Sequence, residues 1–253
     1  MTTQSPRYDT VGDLYRQYKT TATAPVLERR LFLDLLGDPT GLRVLDLATG
    51  YGLYARLAAE LGAAEVVGTD VSGEMVRHAR EATTSPGITF HTVDALDLGR
   101  ASGPDLGTFD LVTAVWLFNY AASPDEVAAM AAGVRRVLRP GGRLVAITLN
   151  PGYDVAGPDW TPYGLAPRAS VRAGRGNRLD VALLTSTTDI PLSVHQWDAD
   201  VYAEALTRSG LAAPAWRLPT APEEDGVERE PGYWAAATTN PVFAGFTTHR
   251  ADR

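Results

Sequence analysis

The chain of 253 residues contains no cysteine. That single absence excludes disulfides, thiolate metal sites and every cysteine nucleophile. Histidine is scarce, and the four present (His78, His91, His195 and His249) show no paired metal-ligand spacing. No apolar run approaches the roughly 20 residues needed to span a bilayer. Met1 to Arg7 carries no apolar segment of a secretory signal. Basic charge is also short, with 23 Lys and Arg against 30 acidic residues and a net charge of −7. Such a balance argues against a nucleic-acid or anionic-membrane partner. The expectation is a cytoplasmic protein without a resident metal.

What is present reads as an ordinary globular chain, 45% hydrophobic and 21% charged, long enough for one large domain over residues 1–253. Tyr8 to Lys19 and Ala24 to Leu36 have helical spacing, so residues 1–40 are expected to form a helical cover. Beyond them strands alternate with helices. Strands are expected at Arg43–Leu47, Glu65–Thr69, Ile88–Thr92, Phe109–Val115 and Arg143–Leu149. Helices are expected at Tyr51–Leu61, at Ser72–Ala82 with Ser72 as N-cap, and from Ser123-Pro124-Asp125-Glu126 to the residues before Pro140-Gly141-Gly142. This rhythm implies an α/β fold with a mostly parallel sheet covered on both faces. After Asn150 it breaks. Residues 150–178 read as an irregular, Gly-, Pro- and Arg-rich excursion, followed by two strands at Val181–Thr187 and Leu192–Trp197. Residues 150–197 are therefore expected to be an insertion that covers a site. A helix at Asp198–Ser209 and strands at Ala215–Leu218 and Val242–Thr248 complete the chain.

The strongest signal is Val44-Leu45-Asp46-Leu47-Ala48-Thr49-Gly50-Tyr51-Gly52-Leu53-Tyr54-Ala55, a strand running through a glycine turn into a helix. Glycines there admit a ligand to the backbone at the sheet's C-terminal edge. Asp70, 20 residues beyond Gly50 at the end of the second strand, can accept both hydroxyls of a ribose. Gly50-x-Gly52-x-x-Ala55 with Asp70 also fits a nicotinamide dinucleotide fingerprint. Asp46 separates the two, because its charge would repel a pyrophosphate and attract an ammonium group. Asp94, after the third strand, adds another acid at the same edge, placed to accept the exocyclic amine of an adenine.

With these acids and turns at consecutive strand ends, the sequence resembles the class I S-adenosylmethionine-dependent methyltransferases, clearly over residues 43–149. The resemblance implies a Rossmann-like, seven-stranded sheet whose last strand is antiparallel, and S-adenosyl-L-methionine as cofactor. It matches Gly50 and Gly52 to the glycine loop near the methionine part. Asp70 matches the ribose acid, Val71 and Met75 flank the adenine, and Asp94 and Ala95 match the adenine-amine position. Ala114 matches the strand-four end that meets the methionine amine. Ala48 and Thr49 stand where the family's common loop has its first glycine and its cysteine. Tyr8 to Tyr15 and Leu117-Phe118-Asn119-Tyr120-Ala121 resemble a bacterial group related to toxoflavin-pathway N-methyltransferases.

A sulfonium cation is attracted to aromatic faces. Tyr15 could supply one, or it could pack on the sheet with Tyr18, three residues along the same helix. Trp116, Asn119, Tyr120 and Trp197 are expected around the acceptor, with Tyr120 and Tyr15 aligning it. His195, the one histidine in the expected cover, is the base available by location, against a plain exposed strand histidine. The arginines at 168, 172, 175 and 178 read as a solvated loop or as a contact for an acidic acceptor. Asn150-Pro151-Gly152-Tyr153 lacks the second proline of the motif for adenine or glutamine methylation, and cytosine C5 chemistry needs a cysteine. The expected activity is methyl transfer to nitrogen or carbon of a heteroaromatic or amine-like secondary metabolite, a small-molecule acceptor. A protein or RNA methyltransferase and a non-catalytic cofactor-binding module are the alternatives, and a homodimer is left open.

Overall fold

The protein is described here as a computed structural model covering residues 12–98, 105–222 and 227–250. Alternating burial along each strand assigns side chains to the two faces of one sheet. Val44, Leu111 and Val145 join one hydrophobic core, while their neighbours Leu45, Val112 and Leu144 join another. The strands are β1 (Arg43–Leu47), β2 (Glu65–Asp70), β3 (Ile88–Thr92), β4 (Phe109–Val115), β5 (Leu138–Leu149), β6 (Leu165–Arg172), β7 (Gly176–Leu183), β8 (Ile190–Trp197), β9 (Ala215–Arg217) and β10 (Phe243–His249). The helices are α1 (Gly12–Thr21), α2 (Ala24–Leu36), α3 (Leu53–Glu60), α4 (Gly73–Glu81), α5 (Pro124–Val137), α6 (Ala199–Ser209) and α7 (Ala235–Thr239).

Seven strands form the main sheet in the order β3-β2-β1-β4-β5-β10-β9. The pairings from β3 to β5 are parallel, and β10 runs antiparallel to both β5 and β9. Helices α2, α3 and α4 bury Leu27, Phe32, Ala55 and Val76 on one face. Helices α5 and α6 bury Met130, Val134, Tyr202 and Leu206 on the other. The order reverses between β1 and β4, and this switch point is where open α/β sheets bind ligands at their C-terminal ends. The fold is thus the expected Rossmann-like, mostly parallel sheet with an antiparallel last strand.

Local signals explain the helix starts. Ser72 caps α4, its hydroxyl accepting the Met75 amide at 3.1 Å. Ser123 caps α5 by accepting from the Glu126 amide at 3.2 Å, with Pro124 in the first turn. Ser72→Ala should lower stability by about 1 kcal/mol, as loss of an N-cap oxygen typically does, and thermal melting would show it. An unchanged melting curve would mean that the hydroxyl contributes nothing there.

Four expectations need correction. The strand opposite β4 starts at Leu138 rather than Arg143. Pairing jumps from Phe109↔Leu138 to Leu111↔Arg143, so Arg139–Gly142 bulge outward within one strand. Residues 150–178 are not irregular throughout, because β6 pairs with β7, and β7 with β8, as a separate antiparallel sheet. The pairing strand runs over Gly176–Leu183 rather than Val181–Thr187. Leu179, Val181, Leu192 and Val194 turn one face of this small sheet to the main core. Its arginines are solvent-exposed but lie on or beside strands rather than in a loop, and they form ion pairs within the chain: Arg168 with Asp189 at 3.2 Å, Arg172 with Asp198 at 2.6 Å, and Arg175 with Asp200 at 2.8 Å. The N-terminal helix is described from Gly12 onward, and Tyr8 to Val11 lie outside the described residues.

Candidate active site

The turn after β1 holds three residues in left-handed conformation. Gly50 and Gly52 have φ of 54° and 82°, and Ala48 adopts φ 53°. Left-handed backbone favours glycine, so Ala48 holds, with a side chain, the conformation that a glycine would adopt freely. The Thr49 amide donates to the Thr69 carbonyl, and the Gly50 amide donates to Asp70 Oδ2 at 2.9 Å. Asp70 also accepts the Ser72 amide at 2.9 Å. One carboxylate at the end of β2 thereby ties the glycine turn to the start of α4. A Cβ added at Gly50 would meet no atom within 4 Å, so the turn faces open space that a side chain would otherwise fill.

Asp46 sits beneath this turn, only 2% exposed. Its two oxygens accept from Thr49 Oγ1 and Thr113 Oγ1, both at 2.6 Å. Burial pushes its carboxyl up to about 6, opposed by those two hydroxyls and reinforced by the charge of Asp70. Asp46 therefore braces the turn through the threonines. Val71, next to Asp70, is exposed, and Met75 is buried in α4 behind it. Asp94 follows β3 and caps the short helical turn Ala95–Asp97 by accepting the Leu96 amide at 2.9 Å. Asp46, Asp70 and Asp94 thus stand at or near the C-terminal ends of β1, β2 and β3. Ala114 is buried in β4, in register with Leu47 and Ala146.

A partly open cavity of about 50 Å³ lies beyond the end of β4. Tyr15, Tyr18 and Lys19 of α1 form one wall, with Glu28 of α2. Trp116, Asn119 and Tyr120 form the second, and Leu165, Val181, Leu183, Leu192 and Val194 of the small sheet form the third. Tyr15 packs edge-on against Tyr51 of the glycine turn at a ring separation of 6.4 Å. This contact joins the cavity to the turn. Trp116 is held with φ 62°, a conformation disfavoured for a bulky residue. Its amide donates to the Ile147 carbonyl at 2.8 Å and its indole to Glu28 Oε2 at 2.7 Å. Such strain persists only where surrounding contacts enforce it, and it concentrates at functional sites.

Glu28 is the polar centre of this region, 3% exposed. Besides Trp116 it accepts from Lys19 Nζ and from the Tyr54 hydroxyl. Burial, and then the charge of Glu28, push the Tyr18 and Tyr54 hydroxyls well above their usual range. Neither Lys19 nor Glu28 was legible as a site residue, because only packing of α1 on α2 brings them together.

His195 and Trp197 lie elsewhere. Successive residues of a strand point to opposite faces, and Val194 of β8 takes the cavity side. His195 stacks on Trp197 at 5.2 Å, and the Trp197 indole donates to the Ala121 carbonyl at 3.2 Å. Trp197 belongs to the core on the α5–α6 face of the sheet. Burial, with Arg178 nearby, lowers the His195 pKa. Among the described residues, no group of three or more His, Asp and Glu is placed to hold a metal, and no helix is long and apolar enough to cross a membrane.

Residues 44–142 match the methyltransferase domain family. A demethylmenaquinone methyltransferase of Thermus thermophilus is 36% identical over 150 residues, covering 58% of this chain and 63% of that protein. A ubiquinone/menaquinone biosynthesis C-methyltransferase of Desulfotalea psychrophila is 36% identical over 124 residues, 49% of this chain and 48% of its own length. The chain thus spans between about half and under two thirds of these curated relatives. An S-adenosylmethionine-dependent methyltransferase from Mesorhizobium loti, solved as a crystal structure, superposes with a TM-score of 0.61 at 26% identity, covering 92% of this chain and 100% of that one. Residues 44–142 are thus similar to a methyltransferase domain, and the chain has the Rossmann-like fold seen in S-adenosylmethionine-dependent methyltransferases.

Proposed function

We propose that the protein transfers the methyl group of S-adenosylmethionine to a small-molecule acceptor, at nitrogen or carbon of a heteroaromatic or amine-like secondary metabolite. The observation that carries this reading is the contact of Tyr15 with Tyr51, which joins the open glycine turn to a largely apolar cavity. A cavity of about 50 Å³, walled by side chains of three elements, suits part of a small ligand and is too confined for a folded macromolecule. The segment Leu117 to Ala121, which resembles toxoflavin-pathway N-methyltransferases, contributes Asn119 and Tyr120 to that cavity, in keeping with this acceptor class.

When bound, the cofactor supplies an already activated methyl group, so the protein's work is alignment and exclusion of water. In this reading Asp70 receives the ribose hydroxyls, with its remaining lone pairs beside the Gly50 and Ser72 amides. Val71 and Met75 flank the adenine, Asp94 and Ala95 meet its amine, and the Ala114 carbonyl meets the methionine amine. Asp46 acts through the turn that it braces. Tyr15 and Tyr120 offer aromatic faces, and Trp116 and Asn119 line the acceptor's place. His195 and Trp197 have no part, since β8 turns them from the cavity.

Asp70→Ala should weaken S-adenosylhomocysteine binding by about 1.5–3 kcal/mol, the range for hydrogen bonds to a charged group. Calorimetric titration measures it, with far-UV circular dichroism to confirm the fold. Unchanged affinity would remove Asp70 from the ribose site. The wild-type chain should show no saturable binding of NADH, and tight NADH binding or hydride transfer would overturn the methyltransferase reading.

A further inference from the structure

Two hydrogen-bonding positions in the cavity are incompletely matched. An ammonium group has three donors, yet among the described residues Glu28 is the one hydrogen-bonding partner of Lys19. The Lys19 side chain is only 4% exposed. The rings of Tyr15 and Tyr54, 5.5 and 5.9 Å from Nζ, hold its charge without accepting conventional hydrogen bonds. Asn119 is 2% exposed, and among the described residues its Oδ1 has no hydrogen-bond partner. Both residues line the cavity. Buried polar groups are normally paired, so a donor and an acceptor left open around one cavity point to a ligand that completes them.

The sign of that ligand follows from Glu28. Its two oxygens already serve Lys19, Tyr54 and Trp116, so its charge is spread over three donors. Among the described residues, no other acid lines the cavity. A protonated amine entering there would face the Lys19 ammonium, with three of the roughly four lone-pair sites of Glu28 already taken. An anionic oxygen would be attracted, and more strongly in an apolar enclosure than in water.

We infer that Lys19 and Asn119 select an acceptor ring bearing an ionisable hydroxyl, a phenol or an enol, with its oxyanion on Lys19 Nζ and a neighbouring N–H or O–H donor on Asn119 Oδ1. This rests on the cavity being the acceptor site, as proposed above. The hydroxyl gives its proton to solvent, and Lys19 holds the resulting anion. Ionisation raises electron density at neighbouring ring atoms, so one anchor suits methylation of ring nitrogen or ring carbon. Glu28 is a positioning residue, acting only through Lys19.

The test uses 4-nitrophenol, whose phenolate absorbs visibly and whose phenol form does not. The full-length chain is titrated with it at a pH just below the probe's own ionisation, with and without S-adenosylhomocysteine. The bound probe should absorb as phenolate. Lys19→Met should abolish that signal and weaken phenolate binding about tenfold or more, the usual consequence of losing a charged hydrogen bond. Lys19→Arg should retain it. The double variant Lys19→Met/Glu28→Gln leaves no unpaired charge and should lose the signal while staying folded by circular dichroism. Asn119→Ala should weaken binding of the probe's catechol analogue, 4-nitrocatechol, more than of 4-nitrophenol, which has no second hydroxyl to donate. A probe that binds as neutral phenol, fails to bind, or keeps its phenolate signal in Lys19→Met would overturn the inference. Loss of S-adenosylhomocysteine binding in the wild type would instead overturn the reading of the site beneath it.

Discussion

Replacing Glu28 by alanine should destabilise the protein by about 3–5 kcal/mol, the range for removing one partner of a buried ion pair. Three donors converge on this carboxylate: Lys19, Tyr54 and Trp116. Alanine would strand all three, and the Lys19 ammonium, 4% exposed, could not regain water without moving α1. For a domain of this size each kcal/mol shifts the melting temperature by about 2–4 °C, so the fall should be unmistakable. Glu28→Gln keeps an acceptor and should cost less. Lys19→Met combined with Glu28→Met should recover much of the loss, because well-packed apolar groups often replace a buried pair without penalty. Denaturant unfolding of the four proteins measures these differences. A loss below 1 kcal/mol in Glu28→Ala would mean that water reaches the site and that the pair is effectively a surface one.

The contrast between Asp70 and Glu28 marks how far the sequence was legible. Asp70 was found because the chain itself sets its position, 20 residues past Gly50 at a strand end, with regular βα units between. The alternation of strand and helix patterns gave the parallel sheet in the same way. Glu28 carries no such local signal. It reads as one charge on a helix, and its role arises only where α2 meets α1 and the turn after β4. The small sheet was half legible. Leu192 and Val194 alternate visibly, but β6 has few apolar residues and its arginines read as loop. Their acid partners, Asp189, Asp198 and Asp200, come from other segments. His195 was misjudged by one residue of parity, since Val194 takes the cavity side. The strained backbone at Ala48 and Trp116 was invisible for a different reason, because both residues normally avoid positive φ and only tertiary contacts impose it.

The Asp46 carboxyl makes stability depend on pH in an unusual direction. Burial raises its pKa from the ordinary 3.8 to about 6, although Thr113 and Thr49 both stabilise the ionised form. A group whose folded pKa is raised contributes stability that is fully present below its unfolded value and is lost as pH rises through the folded one. Between about pH 4 and pH 6 the folded protein therefore binds a proton that the unfolded chain releases. Over that window Asp46 should withdraw about 3 kcal/mol of stability. Other carboxylates, such as Asp198 and Glu204, are held low by Arg172 and Arg175 and oppose this trend. The comparison that isolates Asp46 is accordingly with Asp46→Asn, which keeps the shape and can still bond both threonine hydroxyls. The variant should gain stability relative to wild type as pH rises from 4 to 7, with urea unfolding at each pH as the measurement. Parallel curves would mean that Asp46 titrates normally and is better hydrated than its burial implies. The same charge bears on the proposed cofactor site, because an ionised Asp46 favours a cation at the glycine turn. S-adenosylhomocysteine, whose amino group is cationic, should bind wild type more tightly as pH rises through about 6, and Asp46→Asn should lose that dependence. A dependence that survives in the variant would assign it to another group and leave Asp46 as a brace for the turn alone.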